Sequence, residues 1–549
     1  MNSLVKCRGE DVKSEEPGPA DFERAITHSG YGKFNYLLLL AVLPASFSSI
    51  FSSSAMSYVL PSAECDLNLT MFDKGLLNSM TFAGGMISTS FFWGFMTDTF
   101  GRKKIMFYGY MFTGIMSLAT CFSHTSWLLI SFKFLDGVII SGPYAALMSY
   151  LAEIHNDTHR SRIAWLIIPQ KWTINTGSGA MEINSWRVFL AICSLPEFLA
   201  CIALFAFPES PRFLLLKGRR QEALEVFKKI YSVNTGKNRD TYPVSNLHSH
   251  PEKETHDVRV KYDPIVRLKA NAHFQIKDIE DEYSVKSARD NIKDELRSCW
   301  QQIRPLFLSP NIFKLIAIGM IQLGATIGSN SIRLWMPQLF TMMEQFKNDD
   351  LKHEYSSSQP RFCYMLGQQG TSYNSSTSFI NETLNVAHTC VPAELNSKVF
   401  INSIVIATTS VVGYTLAGTL ITVVGKKKLI ATCFIVAAAC CASLYWAEHT
   451  NSILGLCSVF VAMSSIGGAC VINVIVDNFP TCLRTMAVSL TMMVGRIGAV
   501  LGNLLFPVLF DLTCLGPFIM IGSASLVSAL LVTILPRKKT QNNKPKQTA

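Results

Sequence analysis

The chain has 549 residues, 49% of them apolar and only 16% charged, a balance that excludes an ordinary soluble globular protein and points to an integral membrane one. Its net charge of +10 does not imply a nucleic-acid partner, because the cations gather beside apolar runs, at Arg102 to Lys104, Arg160 and Arg162, Arg212 to Arg220, Lys426 to Lys428 and Arg537 to Lys539. The 15 cysteines lie mostly within apolar runs and read as small hydrophobes.

Residues 1–33 mix acids and bases without an apolar stretch, so they read as a short cytosolic tail rather than a signal peptide. An N-terminal helix bundle is expected over 34–207. Its first span, 36–60, carries Ser46, Ser48, Ser49, Ser52, Ser53 and Ser54, which suit close helix packing or the wall of a polar cavity. The exit at 60–67 is expected outside the cytosol, where Asn68-Leu69-Thr70 forms a glycosylation sequon. Spans at 75–96 and 105–123 flank the connection Gly94 to Lys104, whose Arg102, Lys103 and Lys104 place it on the cytosolic side. The fourth span, 127–151, holds Lys133 and Asp136 at helical spacing. Ions inside a membrane are costly, so the two are either functional or a mutually neutralised pair.

Between Arg162 and Trp186 the only apolar run is the six residues 163–168, against about 20 for a crossing. The fifth helix therefore reads as shortened, missing or a marginal polar crossing. A sixth span covers 188–207. The region 208–311 reads as a cytosolic linker, opening with Ser210-Pro211 as a helix start and a basic amphipathic helix over 211–231.

The C-terminal bundle is expected over 312–535. Its seventh span, 312–340, carries Asn330 and Arg333 near the outer end. Residues 341–398 lack a span and contain sequons at Asn374 and Asn381, flanked by Cys363 and Cys390, a candidate disulfide on an oxidising face. Spans at 399–424, 429–447, 452–476, 485–510 and 515–535 follow, and 536–549 is a basic cytosolic tail. Asn473 in the tenth span and Arg496 deep in the eleventh join Asp136, Asn330 and Arg333 as candidates for a polar cavity, although Arg333 could instead snorkel to the surface and Arg496 form a structural pair with an acid such as Asp136. The sequence His155-Asn156-Asp157-Thr158-His159 beside Glu153 has metal-ligand spacing but lies in a solvated connection, so no metal or cofactor is expected. No Gly-x-x-x-x-Gly-Lys loop is present to hold ATP phosphates, and no enzyme is expected.

Two features recur 324 residues apart. Gly94, Gly101 and the basic triplet return as Gly418, Gly425 and Lys426 to Lys428, and Glu153 with Arg160 returns as Asp477 with Arg484. The pattern Gly94-x-x-x-Asp98-x-x-Gly101-Arg102-Lys103 resembles the signature of the major facilitator superfamily. The resemblance implies an all-α polytopic fold of two six-helix bundles related by a pseudo-two-fold axis, here with 11 clear spans and one doubtful. It also implies a secondary carrier of a small polar organic solute or ion, working by alternating access, with Asp98 and Arg102 closing the cytosolic mouth. Pro208-Glu209-Ser210-Pro211-Arg212, the Ala63-Glu64-Cys65-Asp66-Leu67 exit and the sequon-bearing loop at 341–398 resemble the synaptic vesicle glycoprotein 2 group and its insect relatives. That likeness implies a vesicle or plasma membrane and a rival role as a transport-inactive scaffold or receptor. The expected partners are a small-molecule substrate and the lipid bilayer, with the chain a monomer.

Overall fold

The computed structural model describes residues 22–88, 92–154, 185–247, 306–309, 311–350, 362–366, 397–479 and 481–534. The first half of the chain contributes α1 (Phe22–His28), α2 (Lys33–Leu67), α3 (Met71–Ser88), α4 (Phe92–Phe100), α5 (Arg102–Thr120), α6 (Ser126–Ile154) and α7 (Ser185–Phe205), followed by α8 (Pro211–Leu216) and α9 (Arg220–Thr235). The second half contributes α10 (Asn311–Asp350), α11 (Ser397–Val424), α12 (Lys426–Ser443), α13 (Thr450–Asn478), α14 (Thr481–Leu512) and α15 (Gly516–Ile534). Eight of these helices are long and apolar enough to cross a membrane: α2, α6, α7, α10, α12, α13, α14 and α15. With α3 and α4 counted together, and with α5 and α11, the described helices fall on the 11 clear spans read from the sequence. The doubtful fifth, at 161–186, lies outside the described residues apart from the start of α7.

Each half packs on itself. In the first, α3 and α5 lie on α6, while α5 and α2 lie on α7; in the second, α10 packs on α13, α14 and α15, and α12 on α13 and α15. Each half has one apolar cluster toward each end. Phe34, Met106, Tyr150 and Leu204 form one cluster of the first half, and Leu60, Leu77, Leu129 and Trp186 the other. In the second half Ile318, Ile430 and Val474 oppose Trp335, Phe460, Phe506 and Phe518. The former end of each half carries Arg102 to Lys104 or Lys426 to Lys428 and is termed the basic end. The opposite end carries the Cys363–Cys514 bridge and is termed the disulfide end. Bilayer-length helices keep large apolar side chains on the outside, as a lipid solvent requires: Tyr108, Phe112 and Ile115 on α5, and Leu195, Leu199 and Ile202 on α7, are all exposed.

Four expectations need revision. Cys363 pairs with Cys514, not Cys390, which lies outside the described residues. The reason is packing: the N–H of Phe362 donates to the Ala447 carbonyl and its ring meets Phe518, which carries Cys363 to the turn between α14 and α15. Next, α10 does not stop near 340 but runs 40 residues to Asp350, about 60 Å and twice the bilayer core. The amphipathic segment is two helices, broken at Gly218, whose φ of +75° favours glycine. Lastly, the end of the N-tail and the start of the linker are ordered together. Ala25 and Ile26 of α1 pack with Phe227 of α9, Tyr242 and Val244, and the Asn234 side chain bonds Ser29, Gly30 and the Phe34 N–H.

Candidate functional site

At the basic end the repeated motif appears as a repeated backbone. Gly101 (φ +99°, ψ 152°) precedes α5 and Gly425 (φ +87°, ψ 141°) precedes α12, each in a region that side-chain-bearing residues avoid. Each carbonyl accepts from the N–H four residues on, Ile105 or Leu429, so the basic triplet fills the first helical turn in both copies. The copies differ in their surroundings. A methyl added at Gly101 would fall 2.5 Å from a Glu209 carboxylate oxygen, whereas nothing lies within 4 Å of the same point at Gly425.

Arg102 is buried and its Nη2 donates to Glu153 Oε1 at 3.1 Å, tying α5 to the end of α6. The guanidinium also sits 5.6 Å from the Phe213 ring centre on α8. Ser149 Oγ donates to the same carboxylate oxygen at 3.2 Å, and Ser210 Oγ donates to the other. Ser210 in turn caps α8 by accepting from the Phe213 N–H. Glu209 accepts from the backbone N–H groups of Lys103 and Ser210, both at 3.0 Å, placing a carboxylate on the positive end of α5. The Pro208-to-Arg212 segment thus closes the Gly94–Lys103 motif within one half. Arg102 is thus engaged by Glu153 inside its own half. Arg160 lies outside the described residues, and the side chains of Asp98, Asp477 and Arg484, with Gly94 and Gly418, are likewise not described; Lys426 is half-buried.

Inside the first half, Asp136 is fully buried and accepts from Ser52 Oγ at 2.6 Å and Lys133 Nζ at 3.2 Å, joining α2 to α6. The other serines named in the first span, where described contacts exist, mostly bond back to their own helix. Glu197 of α7, also fully buried, faces Ser117 of α5 and lies within electrostatic reach of Asp136 and Lys133. Sequence reasoning passed over Glu197, a single acid in an apolar run with no partner at helical spacing. It also passed over Lys74, whose Nζ lies 2.7 Å from Glu64 at the disulfide end.

The two halves meet along α3 and α14 and along α2 and α10. At the disulfide end the approach is backbone-close: a methyl at Gly75 would lie 2.8 Å from the Asn503 carbonyl oxygen and 2.9 Å from Pro507. Midway along α14, Arg496 reaches out of the second half and donates to Ser141 Oγ of α6 at 3.0 Å, passing over Gly85 and beside Tyr144. Arg333 and Asn330 of α10 come together, Nη2 donating to Oδ1 at 2.7 Å, while Asn473 is half-buried on α13. Of the sequons, Asn68 is exposed in a left-handed turn that ends α2; Asn374 and Asn381 lie outside the described residues. No cluster of three metal-ligating side chains occurs among the described residues.

A family model described as "Sugar (and other) transporter" matches residues 43–265, and one described as "Major Facilitator Superfamily" matches 361–549. Synaptic vesicle glycoprotein 2C of Homo sapiens is 31% identical over 239 residues, which cover 40% of this chain and 33% of that protein. The matched stretch thus spans about a third of that relative. Synaptic vesicle glycoprotein 2B of Homo sapiens is 21% identical with 98% of this chain and 89% of that protein covered. Among solved structures, the xylose transporter XylE from E. coli in a partially occluded inward open conformation superposes with a TM-score of 0.57 at 12% identity, covering 92% of this chain and 100% of that one. The proton:xylose symporter XylE bound to 6-bromo-6-deoxy-D-glucose gives 0.56, also at 12% identity, with 92% and 96% covered. At such identity the likeness speaks for the fold alone. The multi-pass helical architecture, its duplicated glycine turn and family matches in both halves lead to one conclusion: the chain belongs to the major facilitator superfamily.

Proposed function

We propose that the chain is a secondary transporter of a small polar organic solute or ion. Its two halves rock about a seam marked by Arg496 and Ser141, alternately opening the basic end to the cytosol and the disulfide end to the lumen or exterior. The observation that carries this reading is the cation at the seam: Arg496 crosses from one half to the other midway along its helix. A half-buried arginine at membrane depth is costly, and its default reading is functional. The close contact of α3 with α14 at the disulfide end supports a basic-end-open state. Glu197, buried near the Asp136–Lys133 pair, is the carboxylate this reading assigns to proton coupling. The named location of the curated relatives supports a vesicle membrane.

The test is uptake into proteoliposomes under an imposed pH gradient, across a panel of labelled sugars and small carboxylates. The reading expects saturable flux that Arg496→Gln lowers by about tenfold or more, and that no longer follows the pH gradient in Glu197→Gln. Absence of flux across the panel, with capture of partners by the 341–398 loop intact, supports the scaffold or receptor reading instead.

A further inference from the structure

Where the lipid-facing surfaces of α5 and α7 reach the basic end, they meet α8 and the start of α9 and enclose an open groove of about 1010 Å³. The groove continues both lipid stripes. On α5, Lys104, Tyr108, Phe112 and Ile115 recur at helical spacing and are all exposed, so Lys104 stands at the headgroup end of a face that touches acyl chains. On α7, Phe205 ends the exposed Leu199–Ile202 stripe inside the same groove.

The charges of this groove are unevenly spent. Its three carboxylates are each engaged: Glu209 by the Lys103 and Ser210 N–H groups, Glu222 by both arms of Arg219 at 2.6 and 2.5 Å, and Glu225 by Lys228 at 3.1 Å. By contrast, the ammonium groups of Lys103, Lys104 and Lys217 have no carboxylate within ion-pair distance among the described residues. Two of them are held over aromatic faces, Lys103 Nζ at 5.0 Å from the Phe205 ring and Lys217 Nζ at 5.9 Å from Phe213. The result is a trio of cations, two of them held over aromatic rings, at the level of the lipid headgroups.

We propose that this groove binds an anionic phospholipid, its phosphomonoester headgroup held by Lys103, Lys104 and Lys217 and its chains laid along the α5 and α7 stripes. A zwitterionic headgroup brings no net charge to three clustered ammoniums. A soluble phosphate makes no use of the apolar stripes that lead into the groove. The bound headgroup sits against the Gly101–Glu209 turn, because Lys103 belongs to both, so membrane composition acts directly on the segment that joins α4, α5 and α8.

Full-length protein in a neutral detergent is titrated with phosphatidylinositol 4-phosphate or with phosphatidylcholine, and bound lipid is counted by native mass spectrometry. Each lysine contributes about fivefold to binding at a membrane surface. The double variant Lys104→Gln with Lys217→Gln, both exposed and so harmless to folding, is expected to weaken phosphatidylinositol 4-phosphate binding roughly twentyfold. Lys237→Gln, which lies outside the groove, is expected to leave it unchanged. Equal binding by the double variant overturns the proposal, as does equal retention of phosphatidylcholine. Competition by chain-free inositol 1,4-bisphosphate at the same concentration as the lipid overturns it in favour of a soluble anion.

Discussion

Arg102 and Glu153 form a buried ion pair whose two members are not equally replaceable. Removing the cation alone strands a buried carboxylate, and breaking such pairs typically costs about 3–5 kcal/mol. Arg102→Gln is therefore expected to lower the melting temperature sharply, whereas Arg102→Met combined with Glu153→Met restores most of the loss, because no unpaired charge remains; thermal unfolding in detergent reads both. A double variant as unstable as the single one contradicts this account of the pair. The motif itself was legible in the sequence, since glycines and cations at fixed spacing stand out against apolar runs. The partners of its side chains were not. Glu153 and Glu209 lie 51 and 106 residues from the groups they bind, separations that no helical period encodes. Glu197 escaped for the opposite reason: its neighbours come from α5 and α6, and nothing near it in sequence signals them.

Among elements, the long apolar helices were the readily legible part, because a bilayer demands about 20 residues of one character. Their ends were less so: α10 keeps its helical bonding far beyond the membrane, and α8 and α9 are separated by one left-handed glycine that an amphipathic pattern does not reveal. The disulfide shows the same limit. Bracketing cysteines in one loop suggest a partner that is near in sequence, whereas the packing of Phe362 on Phe518 brings together cysteines 151 residues apart. Peptide mapping without reduction is expected to recover the Cys363–Cys514 linkage in the wild type and in Cys390→Ser, and to lose it in Cys514→Ser. Survival of a Cys363-containing bridge to Cys390 in the wild type contradicts the arrangement. Cys363 and Cys514, and the likewise disulfide-bonded Cys65, lie at the end opposite the lysine triplets, whereas the eight cysteines that are free among the described residues are buried, most within the helices. That division matches an oxidising compartment on one side and a reducing one on the other.

For the whole molecule, the duplication read from sequence survives as two glycine turns of nearly equal geometry, each opening a helix with three cations at the same end. The two halves meet along α3 and α14 and along α2 and α10, and the proposed carrier requires them to move against one another there. Pulsed electron paramagnetic resonance on the chain in nanodiscs measures this most directly, with one pair of spin labels at Phe72 and Leu512 on the disulfide end and another at Lys104 and Lys428 on the basic end. The account predicts two distance populations at each end, shifting in opposite directions as pH is lowered. A single unchanging distance at both ends under every condition would contradict it.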